Sequence, residues 1–383
     1  SRDGLLLTNH HVAYGVIQYN SRPEQDIIEA GFIADGRGDE RPSNPDFRVL
    51  VTVGFDRVTD TVLDSARGLQ GRAYFDAIDA ASKRIVAECE QAGDVRCSVA
   101  NMYYGTDFYR IRQLELRDVR LVYAPPRAIG NYGDEIDNFM WPRHTGDFTL
   151  LRAYVGKDGK PAAYSEDNVP YQPRHHLKFA DQPLGAGDFV MVAGYPGRTN
   201  RYALASEFDE AAGQTFPLTI KHVGAVIDLV EKAGAKDPDI KVKYAASMAS
   251  WNNVTKNYEG QLEGFKRIDA AATKQAEEAA VLAWLKSQGK SGKAALAAHA
   301  QLVGHGKATG STRERDFFVG QFNSTPVLSS AITLYRLAIE KAKPDAEREP
   351  GFQQRDLPVD LRIELRSVDQ CVQQADTQGL RGV

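Results

Sequence analysis

The chain has 383 residues, of which 42% are hydrophobic and 26% charged, and its formal net charge is −4. This length exceeds what one compact core usually holds, so we expect a globular protein with two domains. The small net charge gives no electrostatic footprint for nucleic acid. No apolar run approaches the ~20 residues that cross a bilayer. We therefore expect neither a nucleic-acid partner nor a membrane span.

Strands dominate the first 200 residues. Leu5–Leu7 predicts a short buried strand, which Thr8–His11 follows as a polar tip. Residues 20–46 predict a long surface loop. Asp56 is expected to cap a short helix, and residues 72–89 have the apolar spacing of a longer one. Further strands are predicted over residues 48–53, 99–104, 109–116, 119–123, 148–154 and 189–193. Many strands with Gly and Pro turns favour a sandwich or a barrel.

From about residue 201 the pattern becomes helical. Apolar residues from Ile220 to Val230 predict an amphipathic helix that ends at Gly234. Asp237 precedes the start of another, and a seven-residue apolar spacing from Trp251 to Ala279 predicts one long helix or two in series. Two more helices are predicted over residues 332–343 and 361–372. We therefore expect a mainly β domain over residues 1–200 and a mainly α domain over residues 201–383.

The chain contains three cysteines, of which Cys89 and Cys97 bracket a short segment that a disulfide could close. Such a bond would indicate an oxidising compartment, but two reduced thiols fit the spacing equally well. The chain has no Cys-x-x-Cys motif and no histidine near these residues. A metal site is therefore not predicted at the cysteines.

A histidine and an aspartate flank predicted strands in the order found in chymotrypsin-like proteases. His11 follows a strand, and imidazole is suited to proton transfer near neutral pH. Asp147 precedes an apolar strand and could orient an imidazole through its N–H group. Within the Thr-x-x-His frame the base is His11, and His10 is its neighbour. The alternative interpretation is a pair of solvated histidines and a turn aspartate.

Three segments resemble the S46 family of bacterial dipeptidyl peptidases: residues 7–18, 137–147 and 192–202. This resemblance implies a mixed β and α fold, namely a chymotrypsin-like double β-barrel with an inserted α-helical domain. It implies a serine exopeptidase that releases dipeptides from oligopeptides with a free N-terminus. It also implies a periplasmic or cell-surface location and a homodimer, and we expect no cofactor and no metal.

The resemblance assigns roles to four residues. His11 resembles the general base, and Asp147 resembles the residue that orients it. Asn138 and Phe139 resemble the pair that binds the α-amine of the substrate, because an amide oxygen accepts from an ammonium group and an aromatic face attracts a cation. Many family members have Trp where this chain has Phe139, and the smaller ring is expected to bind the amine less tightly.

The largest departure of this chain from the family pattern concerns the nucleophile. The serine of the family lies in a Gly-Asn-Ser-Gly-Ser-type turn beyond the helical domain, and no segment of this chain matches that turn. Ser291 lies in a turn between helical stretches, and no glycine follows Ser324.

Only ten residues precede His11, and the first is Ser1. We therefore expect an internal fragment of a chain nearly twice as long, inactive by itself, with the serine outside it. The alternative is a catalytically incomplete pseudopeptidase that binds peptides or acts as a scaffold.

Overall fold

The structure is a computed structural model that describes residues 1–22, 24–91, 93, 95–191, 202–354 and 356. The described residues form a mixed α/β fold that divides into two units. The first unit comprises Ser1–Tyr132, His144–Asp181 and the described part of Ser324–Val383, and the second comprises Gly133–Arg143 and Gln182–Asn323. Residues 192–201, around the predicted domain boundary at 200, lie outside the described residues. The division into 1–200 and 201–383 stays a prediction.

The described strands belong to two antiparallel sheets of the first unit. They are β1 (Leu5–Thr8), β2 (Phe32–Ile33), β3 (Arg41–Pro42), β4 (Val49–Arg57), β5 (Arg96–Met102), β6 (Asp107–Leu116), β7 (Asp118–Ala124), β8 (Thr149–Val155) and β9 (Val169–Pro170). The larger sheet has the order β1-β8-β7-β2, with β3 also pairing with β7 and β9 with β8, and the smaller has the order β4-β6-β5. Within the described residues both sheets are open, so the double barrel is not confirmed.

The helices fall in both units. They are α1 (His10–Asn20), α2 (Ile27–Ala30), α3 (Thr59–Ser65), α4 (Gly71–Glu90), α5 (Arg127–Gly130), α6 (Asp134–Asp137), α7 (Ala205–Glu210), α8 (Phe216–Gly234), α9 (Pro238–Arg267), α10 (Ala270–Ser287), α11 (Gly289–Gly310), α12 (Arg313–Asn323) and α13 (Pro326–Glu340). None of the described helices combines the length and the apolar character that a membrane crossing requires.

The core of the first unit fixes the orientation of α1. Ala13, Val16 and Ile17 of this helix are buried against Leu121 and Leu151 of the larger sheet. These α1 residues recur at the three- and four-residue spacing of one helical face. His11 therefore points away from the core, because it lies on the other side of α1. A separate cluster of Val62, Ile85 and Phe108 joins α3 and α4 to the smaller sheet.

Most predicted elements are present, and the differences have local causes. The hairpin of β5 and β6, the strands β7 and β8, and the helix α4 are confirmed. The segment after Leu7 is predicted only as a polar tip of the strand, but it starts α1, with Asn9 as the N-cap. The predicted cap at Asp56 is wrong, because β4 continues through Arg57 and α3 starts at Thr59.

Two predicted elements lie partly or wholly outside the described residues. The strand predicted over residues 189–193 is described only as far as Met191, and Phe189–Met191 are not in a strand. The helix predicted over residues 361–372 lies wholly outside them.

Cys89 and Cys97 form a disulfide, which ties the end of α4 to the start of β5.

The second unit is built on long helices. Helix α8 ends at Gly234 as predicted, and the long apolar seam is divided into α9 and α10 at Asp269, which has a φ of +48°. Aromatic rings join α8 to α9: Phe216 stacks on Tyr258 with ring centroids 4.1 Å apart. Of the two alternatives for this seam, two helices in series is the one confirmed.

Candidate active site

The pairing of two strands brings the predicted base and its partner together. Strand β1 is antiparallel to β8, with Thr8 opposite Thr149. The residues after Thr8 and those before Thr149 therefore leave the sheet at the same edge. His11 and Asp147 lie in these two segments, which explains their contact across 136 positions of sequence.

The Asp147 carboxylate binds His11 through both of its oxygens. The Nδ1 atom of His11 lies 2.7 Å from Oδ2, and the backbone N–H of His11 donates to Oδ1 at 3.0 Å. When Nδ1 carries the proton, Nε2 is left as the acceptor. The His11 side chain is 72% exposed and that of Asp147 is 23% exposed. In this arrangement Asp147 holds the ring through Nδ1, and Nε2 is the nitrogen that can accept a proton on the exposed side.

Asp147 also serves as the N-terminal cap of α1. An N-cap residue usually accepts a backbone N–H of the first turn with its own side chain, but Asn9 does not. The Asp147 carboxylate takes this role by accepting the N–H of His11, the second residue of the helix. The start of a helix favours a negative charge. The geometry of the pair is thus part of the helix start.

These contacts keep Asp147 ionised. Partial burial raises the pKa of the carboxyl group, but hydrogen bonds from the backbone and ring of His11 outweigh it, so the pKa of Asp147 is lowered from its ordinary value. A permanent charge at this point stabilises the imidazolium that forms when His11 takes up a proton.

His10 lies in the core behind the pair and is only 2% exposed. Its ring packs against Gly130, where an added Cβ atom would come within 2.8 Å of it. Its Nδ1 atom lies 3.4 Å from Oγ1 of Thr149. Burial lowers the pKa of His10, although the nearby charge of Asp147 opposes this effect. His10 is therefore a neutral core residue near pH 7.

Asn138 and Phe139 belong to the second unit. Asn138 follows α6, and its Nδ2 atom donates to Oδ1 of Asn253 on α9 at 2.9 Å. On the same helix, Nζ of Lys256 donates to the carbonyl oxygen of Ile136 at 2.8 Å. Phe139 has a φ of +59° and is about half exposed. Residues without a glycine's freedom adopt this conformation rarely, and such positions cluster at functional sites.

Two polar residues that contact the predicted site residues are not predicted from the sequence as part of the site. Asn9 donates to Asp147, and Asn253 accepts from Asn138. Asn9 carries the sequence signal of a helix N-cap, whereas Asn253 lies within a helix pattern and has no such signal. Among the described residues, no three His, Cys, Asp or Glu side chains gather where they could hold a metal ion.

The two serines considered as nucleophiles do not form a tight glycine turn in the structure. Ser291 lies in the first turn of α11, and its hydroxyl donates to the carbonyl oxygen of Gln288 at 3.0 Å. Ser324 is exposed between α12 and α13. A backbone oxyanion hole needs N–H groups directed at one point in such a turn. Neither position is therefore our candidate for the nucleophile.

Comparison with known proteins gives consistent similarities. The peptidase S46 family model matches residues 1–380. The Asp/Glu-specific dipeptidyl-peptidase of Shewanella putrefaciens is 43% identical over 371 residues, which are 96% of this chain and 50% of that protein. The dipeptidyl-peptidase 7 of Porphyromonas gingivalis is 34% identical over 296 residues, which are 76% of this chain and 41% of that protein. The chain thus spans about half the length of these relatives.

Solved structures of Porphyromonas endodontalis DPP11 have a similar fold. The complex with the dipeptide Arg-Asp matches with a TM-score of 0.74 and 32% identity, covering 82% of this chain and 46% of that one. The complex with substrate matches with a TM-score of 0.75 and 28% identity, covering 97% of this chain and 52% of that one.

Proposed function

The chain belongs to the peptidase S46 family, and we propose that it supplies the general base and the amine-binding residues of a serine exopeptidase that releases dipeptides. The observation that carries this proposal is the contact of 2.7 Å between His11 Nδ1 and Asp147 Oδ2. It holds the ring with Nε2 directed outward, as a base requires. The names of the relatives support the reaction class, since they are dipeptidyl peptidases.

In the proposed mechanism His11 moves protons in two half-reactions. Its Nε2 atom accepts the proton of a serine hydroxyl as the serine attacks the peptide carbonyl, and then donates it to the leaving amine. Nε2 next accepts a proton from the water that attacks the acyl-serine and returns it to the serine oxygen, which releases the dipeptide. Asp147 holds the tautomer and balances the transient positive charge. We propose that the serine lies in a segment that corresponds to the half of the relatives not matched by this chain. We also propose a chymotrypsin-like double barrel, which the two antiparallel sheets and the likeness to DPP11 support.

The proposed amine site makes the enzyme release two residues at a time. Asn138 and Phe139 bind the free α-amine of the peptide, and Asn253 holds the Asn138 amide in place. An ammonium group donates to amide oxygens and is attracted to an aromatic face. Fixing the amine in this way determines which peptide bond reaches the serine.

We propose that the substrates are oligopeptides with Asp or Glu as the second residue. The support is the identity of 43% over 96% of this chain to the Asp/Glu-specific dipeptidyl-peptidase of Shewanella putrefaciens. A homodimer in the periplasm or at the cell surface remains our proposal as well. The disulfide between Cys89 and Cys97 supports an oxidising compartment.

The test is hydrolysis of fluorogenic dipeptide substrates by the full-length natural protein and its His11→Ala variant. We expect cleavage after Asp or Glu to exceed cleavage after Leu, and the variant to lose at least about 10³-fold in kcat. His175→Ala is the control, because His175 is also exposed and lies outside the proposed site.

Equal hydrolysis by the natural protein and His11→Ala would contradict the assignment of the base. Preferred cleavage after Leu would contradict the proposed side-chain preference alone. Peptide binding without hydrolysis by the full-length protein would favour the pseudopeptidase.

A further inference from the structure

Asn9 contacts Asp147 through two hydrogen bonds from one amide group. Its Nδ2 atom donates to the backbone carbonyl oxygen of Asp147 at 3.1 Å and to Oδ2 at 3.2 Å. The same Oδ2 atom binds the ring of His11. Because one amide joins the main chain and the side chain of Asp147, it restricts rotation of the carboxylate about its own side-chain bonds.

The conformation of Asn9 shows that its side chain serves this contact and not the helix. Asn9 is the N-cap of α1 and has the extended backbone usual for that position, with φ −72° and ψ 149°. Asparagine is among the preferred N-cap residues because its side chain accepts an N–H of the first turn. Here no such bond is present, and Asp147 Oδ1 accepts the N–H of His11 instead.

Because Asp147 caps α1 in place of Asn9, each oxygen of its carboxylate has its own hydrogen-bond donors. Oδ1 accepts the backbone N–H of His11, whereas Oδ2 accepts from the His11 ring and from Asn9. A carboxylate held by several donors stays ionised and keeps one orientation. The ring of His11 can then donate to Oδ2 along one direction only, which places Nε2.

We propose that Asn9 is a positioning residue of the His11–Asp147 pair, which it serves by fixing the orientation of the Asp147 carboxylate. The proposal deepens the proposed function and rests on it, because it assigns Asn9 to the same proton transfer. Asn9 acts through Asp147 and His11, so it affects the chemical step and not the binding of the peptide.

Substitutions of Asn9 separate this role from that of a helix cap. Asn9→Ala removes both hydrogen bonds of Nδ2. We expect kcat to fall about tenfold with KM unchanged, the size expected for the lost hydrogen bond to the charged carboxylate. Asn9→Ser retains a good N-cap residue, but its hydroxyl is one bond shorter than the amide. We expect Asn9→Ser to keep the melting temperature of the natural protein and to lose kcat as Asn9→Ala does.

The matched control is Asn20→Ala, at the last residue of the same helix. The Nδ2 atom of Asn20 also makes two hydrogen bonds, to the carbonyl oxygens of Val16 at 3.0 Å and of Pro42 at 2.9 Å. Asn20→Ala is expected to lower the melting temperature and to leave kcat unchanged. A kcat of Asn9→Ser equal to that of the natural protein, or a loss of kcat in Asn20→Ala equal to that in Asn9→Ala, would overturn the proposal.

An NMR measurement on the full-length protein tests the contact without relying on activity. The Nδ1 proton of His11 should give a low-field signal that His11→Ala lacks. We expect Asn9→Ala to broaden or shift this signal and Asn20→Ala to leave it in place. An unchanged signal in Asn9→Ala would refute the role of Asn9. If the natural protein hydrolyses no dipeptide substrate while Asn9→Ala does change the signal, the proposed function fails and the positioning by Asn9 stands.

Discussion

The two units differ in how their candidate site residues are held. In the first unit, buried apolar clusters fix α1 and the strands that place His11 and Asp147. In the second unit, Ile227 and Ala270 are the only described apolar residues that are buried, and Asn138 and Phe139 follow a short helix beside α9. A closely packed core transmits small displacements, whereas half-buried helix faces tolerate them. His11 is therefore positioned by the core, and Asn138 by polar contacts.

The largest expected effect tests the first unit directly. Asp147→Asn keeps the size of the side chain but removes the charge and favours the wrong tautomer of His11. We expect kcat of the proposed peptidase to fall by about 10³- to 10⁴-fold with a small change in KM. Steady-state kinetics on a dipeptide substrate measures both constants. A loss confined to KM would show that Asp147 acts in binding and would remove the contrast between the units.

The next effect concerns stability of the first unit. Arg120 donates to both oxygens of Asp118 at 2.9 and 2.7 Å, and the two side chains are 9% and 0% exposed. Asp118→Ala leaves the buried guanidinium of Arg120 with the carbonyl oxygen of Ser165 but without a carboxylate, so we expect the free energy of unfolding to fall by about 3–5 kcal/mol. Denaturant unfolding measures this loss.

A second ion pair of the same unit provides the control. The pair of Lys157 and Asp167 has a similar distance, 2.9 Å, but its side chains are 70% and 83% exposed. Asp167→Ala is expected to leave the unfolding curve unchanged. Equal losses in Asp118→Ala and Asp167→Ala would mean that burial is not what makes the first pair matter.

The pH dependence of stability tests the environment of His10. Burial lowers the pKa of His10 in the folded protein, so the unfolded chain binds the proton more readily. Stability is then complete above the unfolded pKa of about 6.5 and falls as the pH drops below it, by at most ~1.4 kcal/mol per pH unit. His10→Asn does not titrate, so its stability should lose this slope between about pH 6.5 and 5. The same slope in both proteins would place His10 in solvent.

The smallest effect tests the second unit. Asn253→Ala removes the acceptor of Asn138, and we expect KM to rise about fivefold with kcat unchanged, as for one neutral hydrogen bond. The control is Asn257→Ala, one turn further along α9, where the side chain accepts from Nε2 of Gln261 on the same helix at 2.5 Å. Its KM should stay at the natural value. A fall in kcat for Asn253→Ala would mean that this helix also positions the reacting groups.

The sequence by itself determined many of the elements and the chemistry of the candidate base. Local apolar spacing predicted α4, α8 and α13, and alternating strands predicted the hairpin of β5 and β6, because these patterns depend on neighbours within one element. The motifs around residues 11, 138 and 147 indicated the family. Asn9, by contrast, precedes apolar residues that recur every three or four positions, which is the pattern of a helix start, yet this segment is predicted only as a polar tip of a strand.

Only the tertiary structure decided which side chains meet. The register of β1 on β8 brings Asp147 to His11 and lets a distant carboxylate cap α1, which no local pattern contains. The contact of Asn138 with Asn253 joins residues 115 positions apart. The tertiary structure also shows that Cys89 and Cys97 form a disulfide, whereas their spacing in the sequence fits two reduced thiols equally well. Such contacts depend on strand register and helix packing across the whole chain, and a single sequence specifies these only through the folded structure.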